Sequence, residues 1–269
     1  MREIHLKPLS QEYPKITPTK DGSTTLYSSR FSQHYHNPNG AVAESRHIFF
    51  ETPGLPKFLN HHEKITVFET GFGTGLNLLL LLDYIRQSTK IPLVTYYSVE
   101  AYPLDSNTAA QFDFGDNPHL NISKSTLIKI FDGLKPGLNT LNVADKFTLH
   151  LFNGFFDDFF YGNFIRESEK MDFVIHDPFS PGVNPDLWTP EVFRKLAAIS
   201  KIDVVLSTYC AATSARAAMA VGGWYVARAQ GALGKREMTV ASLNPEKLDA
   251  FKRVNEKKLS IRYENGDFS

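Results

Sequence analysis

Val67-Phe68-Glu69-Thr70-Gly71-Phe72-Gly73-Thr74-Gly75-Leu76-Asn77 is the stretch that decides the fold. It starts as an apolar run, passes through glycines at three alternate positions, and opens into Leu76 to Leu82, an apolar segment interrupted only by Asn77. That order predicts a buried strand over 65–69, a tight loop, and a helix over 75–86. Glycines allow positive φ and let a ligand approach the main chain. The start of the helix points free N–H groups toward the loop, which favours a polar or anionic ligand there.

Outward from the loop, apolar and β-branched runs predict strands over 93–100, 147–152, 171–176 and 202–208. Residues 188–199 have helical spacing, and 105–142 read as a helical insertion. Residues 224–229 and 237–243 form a closing β-hairpin across a glycine-bearing turn. Alternating strands and helices predict an α/β, Rossmann-like fold with a mostly parallel sheet covered on both faces. Residues 1–62 differ: they are polar, with turn signals at Asp21-Gly22-Ser23 and Asn37-Pro38-Asn39-Gly40. Thr24-Thr25-Leu26-Tyr27 and His47-Ile48-Phe49-Phe50 read as short extended segments. The expected organisation is a β-rich N-terminal extension over 1–62 and one catalytic domain over 63–269.

The loop spacing is G-x-G-x-G, one residue short of the dinucleotide pattern G-x-G-x-x-G. This form points to S-adenosylmethionine, with NAD as runner-up; an ordinary tight turn is the bland alternative. Glu100 ends the second strand, where an acid can accept hydrogen bonds from ribose hydroxyls. Glu69, just before the loop, is a candidate for the cofactor's amino group.

His176-Asp177-Pro178-Phe179-Ser180-Pro181 follows the strand over 171–176. Reactive groups in open α/β sheets collect beyond the carboxyl ends of the strands. Asp177-Pro178-Phe179 is similar to the [Asp/Asn/Ser]-Pro-Pro-[Tyr/Phe] motif of methyltransferases acting on amino nitrogens. An amine attacks only through a free lone pair, so a carboxylate that orients or removes its protons suits the task. Asp177 is therefore the catalytic candidate, with a helix cap or turn as the alternative. Phe179 is a candidate to stack on a heterocycle, and His176 reads as a packed residue.

Acidic and basic residues balance at 29 each. This gives no sign of general nucleic-acid affinity, although a local basic patch remains compatible with it. Cys210 is the one cysteine, which excludes an internal disulfide. The histidine spacing matches no metal motif, so no metal is expected. Residues 1–7 lack an apolar leader and no run is long enough to cross a bilayer, so a cytoplasmic protein is expected.

Taken together, the motifs resemble the methyltransferase domain of the bifunctional tRNA-modification enzyme MnmC and its stand-alone MnmD relatives. The matching segments are Glu69 through Asn77, Asp177-Pro178-Phe179-Ser180-Pro181-Gly182-Val183-Asn184-Pro185-Asp186-Leu187-Trp188-Thr189, and Gly234-Lys235-Arg236-Glu237-Met238. The N-terminal stretch from Asp21-Gly22-Ser23 through Gly40-Ala41-Val42-Ala43-Glu44-Ser45 also resembles the stand-alone members. The resemblance implies a Rossmann-like class I methyltransferase that uses S-adenosylmethionine on the exocyclic amine of 5-aminomethyl(-2-thio)uridine at the tRNA wobble position. It implies tRNA as partner, no membrane or stable protein partner, and no flavin domain within 269 residues. Glu69, Gly71, Gly73, Gly75, Asn77, Glu100 and Asn153 fall to the cofactor. Phe179, Asn184, Arg236 and Glu237 fall to the substrate. Helix capping is the alternative for Asn184, and a solvated hairpin for Lys235, Arg236 and Glu237.

Two departures stand out. The family's Gly-Asp near the adenine is Asn153-Gly154 here, with Asp157 and Asp158 later, and its Asp-Gly-Phe is Asp177-Pro178-Phe179. Lys201, Arg216 and Arg228 are further phosphate candidates, and Tyr35 and Glu44 are candidates to line the site from the N-terminal segment. A small-molecule N-methyltransferase and a cofactor-retaining scaffold without turnover are the competing functions.

Overall fold

The computed structural model describes residues 15–268; the expectation for residues 1–7 lies outside them. Strands β1 (Lys15–Pro18), β2 (Thr24–Ser28) and β3 (Gln33–His34) form a small antiparallel sheet. Helix α1 (Ala41–Ser45), a π-type turn over Arg46–Glu51 and α2 (Leu55–His61) follow. The main sheet begins with β4 (Lys64–Thr70), α3 (Leu76–Gln87), β5 (Leu93–Glu100), α4 (Ser106–Ala110) and α5 (Pro118–Gly133). It continues through β6 (Gly137–Ala144), β7 (Phe147–Asn153), α6 (Phe156–Tyr161), β8 (Met171–His176) and α7 (Pro190–Ala198). The chain ends with β9 (Ser200–Thr208), α8 (Thr213–Val221), β10 (Tyr225–Gln230), β11 (Glu237–Ser242), β12 (Lys252–Arg253) and α9 (Glu256–Glu264).

The strand order is β12-β10-β11-β9-β8-β4-β5-β7-β6. The five central strands, β9 to β7, are parallel to their neighbours. β6 pairs antiparallel with β7 at one edge, and β11 pairs antiparallel with β9 toward the other. Such a sheet needs apolar side chains on both faces. Accordingly Ile65, Val67 and Phe68 of β4 are buried, with apolar clusters above and below.

Helix α3 is embedded: Leu76 and Leu78 through Leu82 are buried. Each fully buried leucine contributes roughly 1.5–3 kcal/mol of transfer free energy. The charge at its far end, Asp83, is buried and paired with Arg46 at 2.7 Å. Leu26, Val42, Phe49, Phe50 and Leu55 pack in the same cluster as these leucines, so residues 15–62 and the sheet share one core.

Three expectations need correction. His47-Ile48-Phe49-Phe50 is helical, not extended. Buried Ala41, Val42, Ser45, Ile48 and Phe49 follow helical spacing, which the short run alone concealed. Residues 137–142 belong to strand β6 rather than to a helical insertion; their exposure alternates residue by residue after Pro136-Gly137. The helix expected from Trp188 starts at Pro190, where Thr189 Oγ1 accepts the Val192 N–H at 3.4 Å.

From β4 the chain winds outward to β5 and β7, then returns to β8 and β9 on the other side. Loops leaving β4 and β8 therefore diverge and open a crevice beyond the carboxyl ends of the strands. The Asp177 N–H donates to the Thr70 carbonyl at 3.1 Å and ties the two strand ends together. Among the described residues no helix is long and apolar enough to cross a membrane.

Candidate active site

A cavity of about 910 Å³ opens at this crevice. Its floor is the loop from Thr70 to Thr74 with Leu76 and Asn77; its sides are Glu100 and Tyr102 after β5, Gly154 and Phe155 after β7, and Asp177, Phe179 and Asn184 after β8. Phe31, Tyr35, His36 and Glu44 of the N-terminal segment roof it.

The loop takes its shape from its glycines. Gly71, Gly73 and Gly75 have φ of +86°, +52° and +74°, a region that disfavours side chains. A Cβ on Gly71 would lie 3.2 Å from the Asp177 carbonyl oxygen. The turn presents the Gly73 N–H to Glu100 Oε2 at 2.8 Å, while the Tyr102 N–H donates to Oε1 at 2.8 Å. Burial raises the Glu100 pKa and these N–H groups oppose the rise. Each Glu100 oxygen keeps a further lone pair for a ligand hydroxyl.

Asn77 stands at the centre of the acidic side. Its Nδ2 donates to Glu69 Oε1 at 3.0 Å and to Asp177 Oδ2 at 3.2 Å. Glu69 is wholly buried and also accepts from the Ser98 hydroxyl at 2.9 Å. Burial, opposed by these donors, pushes its pKa up to about 8. Burial also lifts Asp177 well above the ordinary carboxylate range, reinforced by Glu69 and Glu44; Asn77 and Lys235 pull it back. Asp177 nevertheless keeps part of its surface open to the cavity. The Lys235 ammonium is held 2.7 Å from Glu44 Oε1.

The aromatic wall is fixed from behind. The Trp188 indole N–H donates to the Phe179 carbonyl at 2.8 Å, and the Tyr209 hydroxyl to the Pro178 carbonyl at 2.7 Å. The Phe179 ring stacks on Phe31 at 4.4 Å and meets Tyr35 edge-on at 5.0 Å. His176 is buried against Trp188 and Phe193, with Nε2 on the Leu187 carbonyl at 3.0 Å. Burial drops its pKa to about 3, so the imidazole is neutral.

Of the residues singled out from sequence, Gly71, Gly73, Asn77, Glu100, Asp177, Phe179 and Asn184 line the cavity, as do Tyr35 and Glu44. Asn184 makes no side-chain cap hydrogen bond to the short turn it precedes. The lining omits Glu69, which lies behind Asn77, and also Gly75 and Asn153; beside Asn153 the wall is Gly154, Phe155 and Asp157. Arg236 is exposed and outside the lining. Glu237 is occupied elsewhere, 2.9 Å from buried Arg216 and 3.5 Å from Arg228. Lys201 pairs with Asp172 at 2.7 Å. Each of these three cations is therefore paired with a carboxylate, and Arg216 is buried as well. Cys210 is buried with its pKa raised by burial. Among the described residues no cluster of His, Cys, Asp and Glu suits a metal.

Phe31, Gln33, His36 and Tyr102 also line the cavity. They carry no motif, and only the path of the N-terminal strands brings the first three to the site. Pro38-Asn39-Gly40 was legible as a turn, but not what it turned toward.

Residues 125–244 match a family described as S-adenosyl-L-methionine-dependent methyltransferase. The tRNA 5-methylaminomethyl-2-thiouridine biosynthesis bifunctional protein MnmC of Delftia acidovorans is 31% identical over 223 residues, covering 82% of this chain and 34% of the relative. MnmC of Ralstonia nicotianae is 32% identical over 228 residues, covering 84% and 34%. The chain thus spans about a third of the length of the curated relatives it matches. The crystal structure of MNMC2 from Aquifex aeolicus has the same fold, with a TM-score of 0.74 at 24% identity, covering 95% of this chain and 77% of that one.

With this sheet and this crevice, the fold is that of an S-adenosyl-L-methionine-dependent methyltransferase, the family that residues 125–244 match. Within that class it is a relative of the MnmC proteins. The cofactor of the family is S-adenosyl-L-methionine, and the cavity offers polar groups that suit it. Thr70 Oγ1, Asn77 Oδ1 and His34 Nδ1 are buried at the cavity without a hydrogen-bond partner in the protein. A ligand rich in hydroxyls and carrying an amino acid end would supply such partners.

Proposed function

We propose that this protein methylates the exocyclic amine of 5-aminomethyl(-2-thio)uridine at the tRNA wobble position. The observation that carries this reading is Asp177, a carboxylate of raised pKa facing the cavity beside Phe179 and bound to the glycine-loop helix through Asn77. The biosynthetic product named for the MnmC relatives, 5-methylaminomethyl-2-thiouridine of tRNA, supplies the nucleoside.

Glu100 holds the ribose hydroxyls and Asn77 the amino acid end, with Glu69 acting through Asn77. S-adenosyl-L-methionine, when bound, supplies an electrophilic methyl group on a sulfonium. The acceptor amine arrives largely as an ammonium and must lose a proton before it can attack. Asn77 occupies Asp177 Oδ2, leaving Oδ1 to take that proton: ammonium and carboxylate become amine and carboxylic acid. A base with a raised pKa suits this transfer better than an ordinary carboxylate. Phe179 offers a face to the pyrimidine, and Asn184 a hydrogen bond to its edge. We infer that residues 15–62 complete the site from above.

The test is labelled cofactor with tRNA bearing the free aminomethyl group. Transfer to that tRNA and not to the fully methylated form supports the reading. The zero net charge equally suits a small amine; transfer to small amines alone would replace tRNA as the acceptor.

A further inference from the structure

We propose that Phe31 is a substrate-positioning residue that forms, with Phe179, the two faces of a slot for the acceptor's heterocycle; this rests on the function proposed above.

Phe31 sits in the turn between β2 and β3, next to Ser32, a non-glycine residue at φ +48°. Two neighbouring side chains fix this tip, Arg30 to the loop after β5 and Gln33 to the loop after β8. The Arg30 guanidinium lies 4.1 Å over the Tyr102 ring, two residues beyond Glu100. Gln33 exchanges two hydrogen bonds with Ser180: its Nε2 donates to Oγ at 2.8 Å, and its Oε1 accepts the Ser180 N–H at 3.2 Å. Phe31 itself stacks on Phe179, with centroids 4.4 Å apart and planes 25° apart, and meets Tyr102 edge-on at 5.9 Å.

An aromatic side chain of an exposed turn, half-buried and laid flat on a second ring beside a reactive carboxylate, is more than core filling. The Phe31 and Phe179 rings both line the cavity. Aromatic pairs that take an unpaired base between or upon them are the usual way to hold a nucleobase out of its stack. Entry of one base between them needs the rings about 6.8 Å apart, two stacking distances of about 3.4 Å. Phe31 can yield because it lies at the turn, two residues before the Gln33 anchor. The anchor keeps the turn in register with Asp177, so the slot sets how far the aminomethyl group reaches toward Oδ1.

The experiment is steady-state kinetics of Phe31→Ala, Phe31→Leu and Phe31→Trp in the full chain, with KM measured separately for aminomethyl-bearing tRNA and for the cofactor. Stacking predicts that Phe31→Ala raises the tRNA KM about 10-fold or more and leaves the cofactor KM within about 2-fold. Phe31→Trp restores the tRNA KM, and Phe31→Leu does not. Restoration by Leu as well as Trp, an equal rise in both KM values, or an unchanged tRNA KM overturns the slot while leaving the proposed reaction standing. No transfer by the unaltered enzyme overturns the reaction, and the slot with it.

Discussion

Asn77 and Asp177 meet across the crevice at 3.2 Å, joining the first turn of α3 to the loop after β8. The same amide nitrogen reaches Glu69 at 3.0 Å, so one N–H₂ group stabilises the ionised forms of two carboxylates. Asn77→Ala removes that stabilisation from both. The acidic limb of kcat/KM should move to higher pH, and stability should fall by about 1–3 kcal/mol for buried oxygens left without a donor. A pH profile and urea unfolding measure the two effects; an unmoved limb contradicts this role.

Lys235 acts on the same carboxylate from the other side. Its positive charge lowers the Asp177 pKa, and it pairs with Glu44. Lys235→Met removes the cation and frees the Glu44 charge, and both changes favour protonated Asp177. The base form then appears only at higher pH, so the kcat/KM profile should shift upward with little change in the pH-independent maximum. A downward shift would contradict the electrostatic assignment.

Glu69 makes stability depend on pH in an unusual direction. Its folded pKa is about 8 against an ordinary 4.5. Between those values the folded state holds a proton that the unfolded state has released, so stability falls as pH rises through this window. The slope is at most about 1.4 kcal/mol per pH unit. His176 has the opposite sign: its folded pKa of about 3 lies below 6.5, so its contribution is lost as pH falls below 6.5. Glu69→Gln is neutral throughout and isolates the carboxylate. Urea unfolding at several pH values should show the variant gaining on the parent as pH rises; a pH-independent difference contradicts the account.

The hairpin near Lys235 separates structure from chemistry. Glu237 holds buried Arg216 at 2.9 Å, and Arg216 also donates to Thr239 Oγ1 and the Met238 carbonyl. Glu237→Ala should cost about 1–3 kcal/mol in thermal unfolding, because it strands a buried cation that keeps its other partners. Where it still folds, acceptor KM should stay near the parent value. A large KM rise without loss of stability would return Glu237 to the substrate.

Much of the sheet was legible because buried parallel strands advertise themselves: 171–176 and 147–152 are runs no solvent-facing segment would carry. Gly71, Gly73 and Glu100 were legible as residues of the crevice because a tight loop and a terminal acid at particular strand ends require particular backbone geometry. What stayed hidden depended on long-range closure. Phe31 and Gln33 meet the site through contacts spanning 147 residues in the case of Gln33 and Ser180. Glu237 looked like a substrate contact because sequence does not reveal that Arg216, on a different element, claims it. Residues 47–50 looked extended because the helical spacing becomes visible only with Ala41 and Val42 included.

The most direct measurement of the central claim is single-turnover methyl transfer to aminomethyl-bearing tRNA by the parent and by Asp177→Asn, with the product nucleoside identified by mass spectrometry and cofactor affinity measured alongside. The account predicts a methyl group on the exocyclic nitrogen, a rate about 10²- to 10⁴-fold lower for Asp177→Asn, and cofactor affinity within about 3-fold of the parent. Methylation at a ring atom, an unchanged rate, or equal losses of rate and cofactor affinity would contradict it.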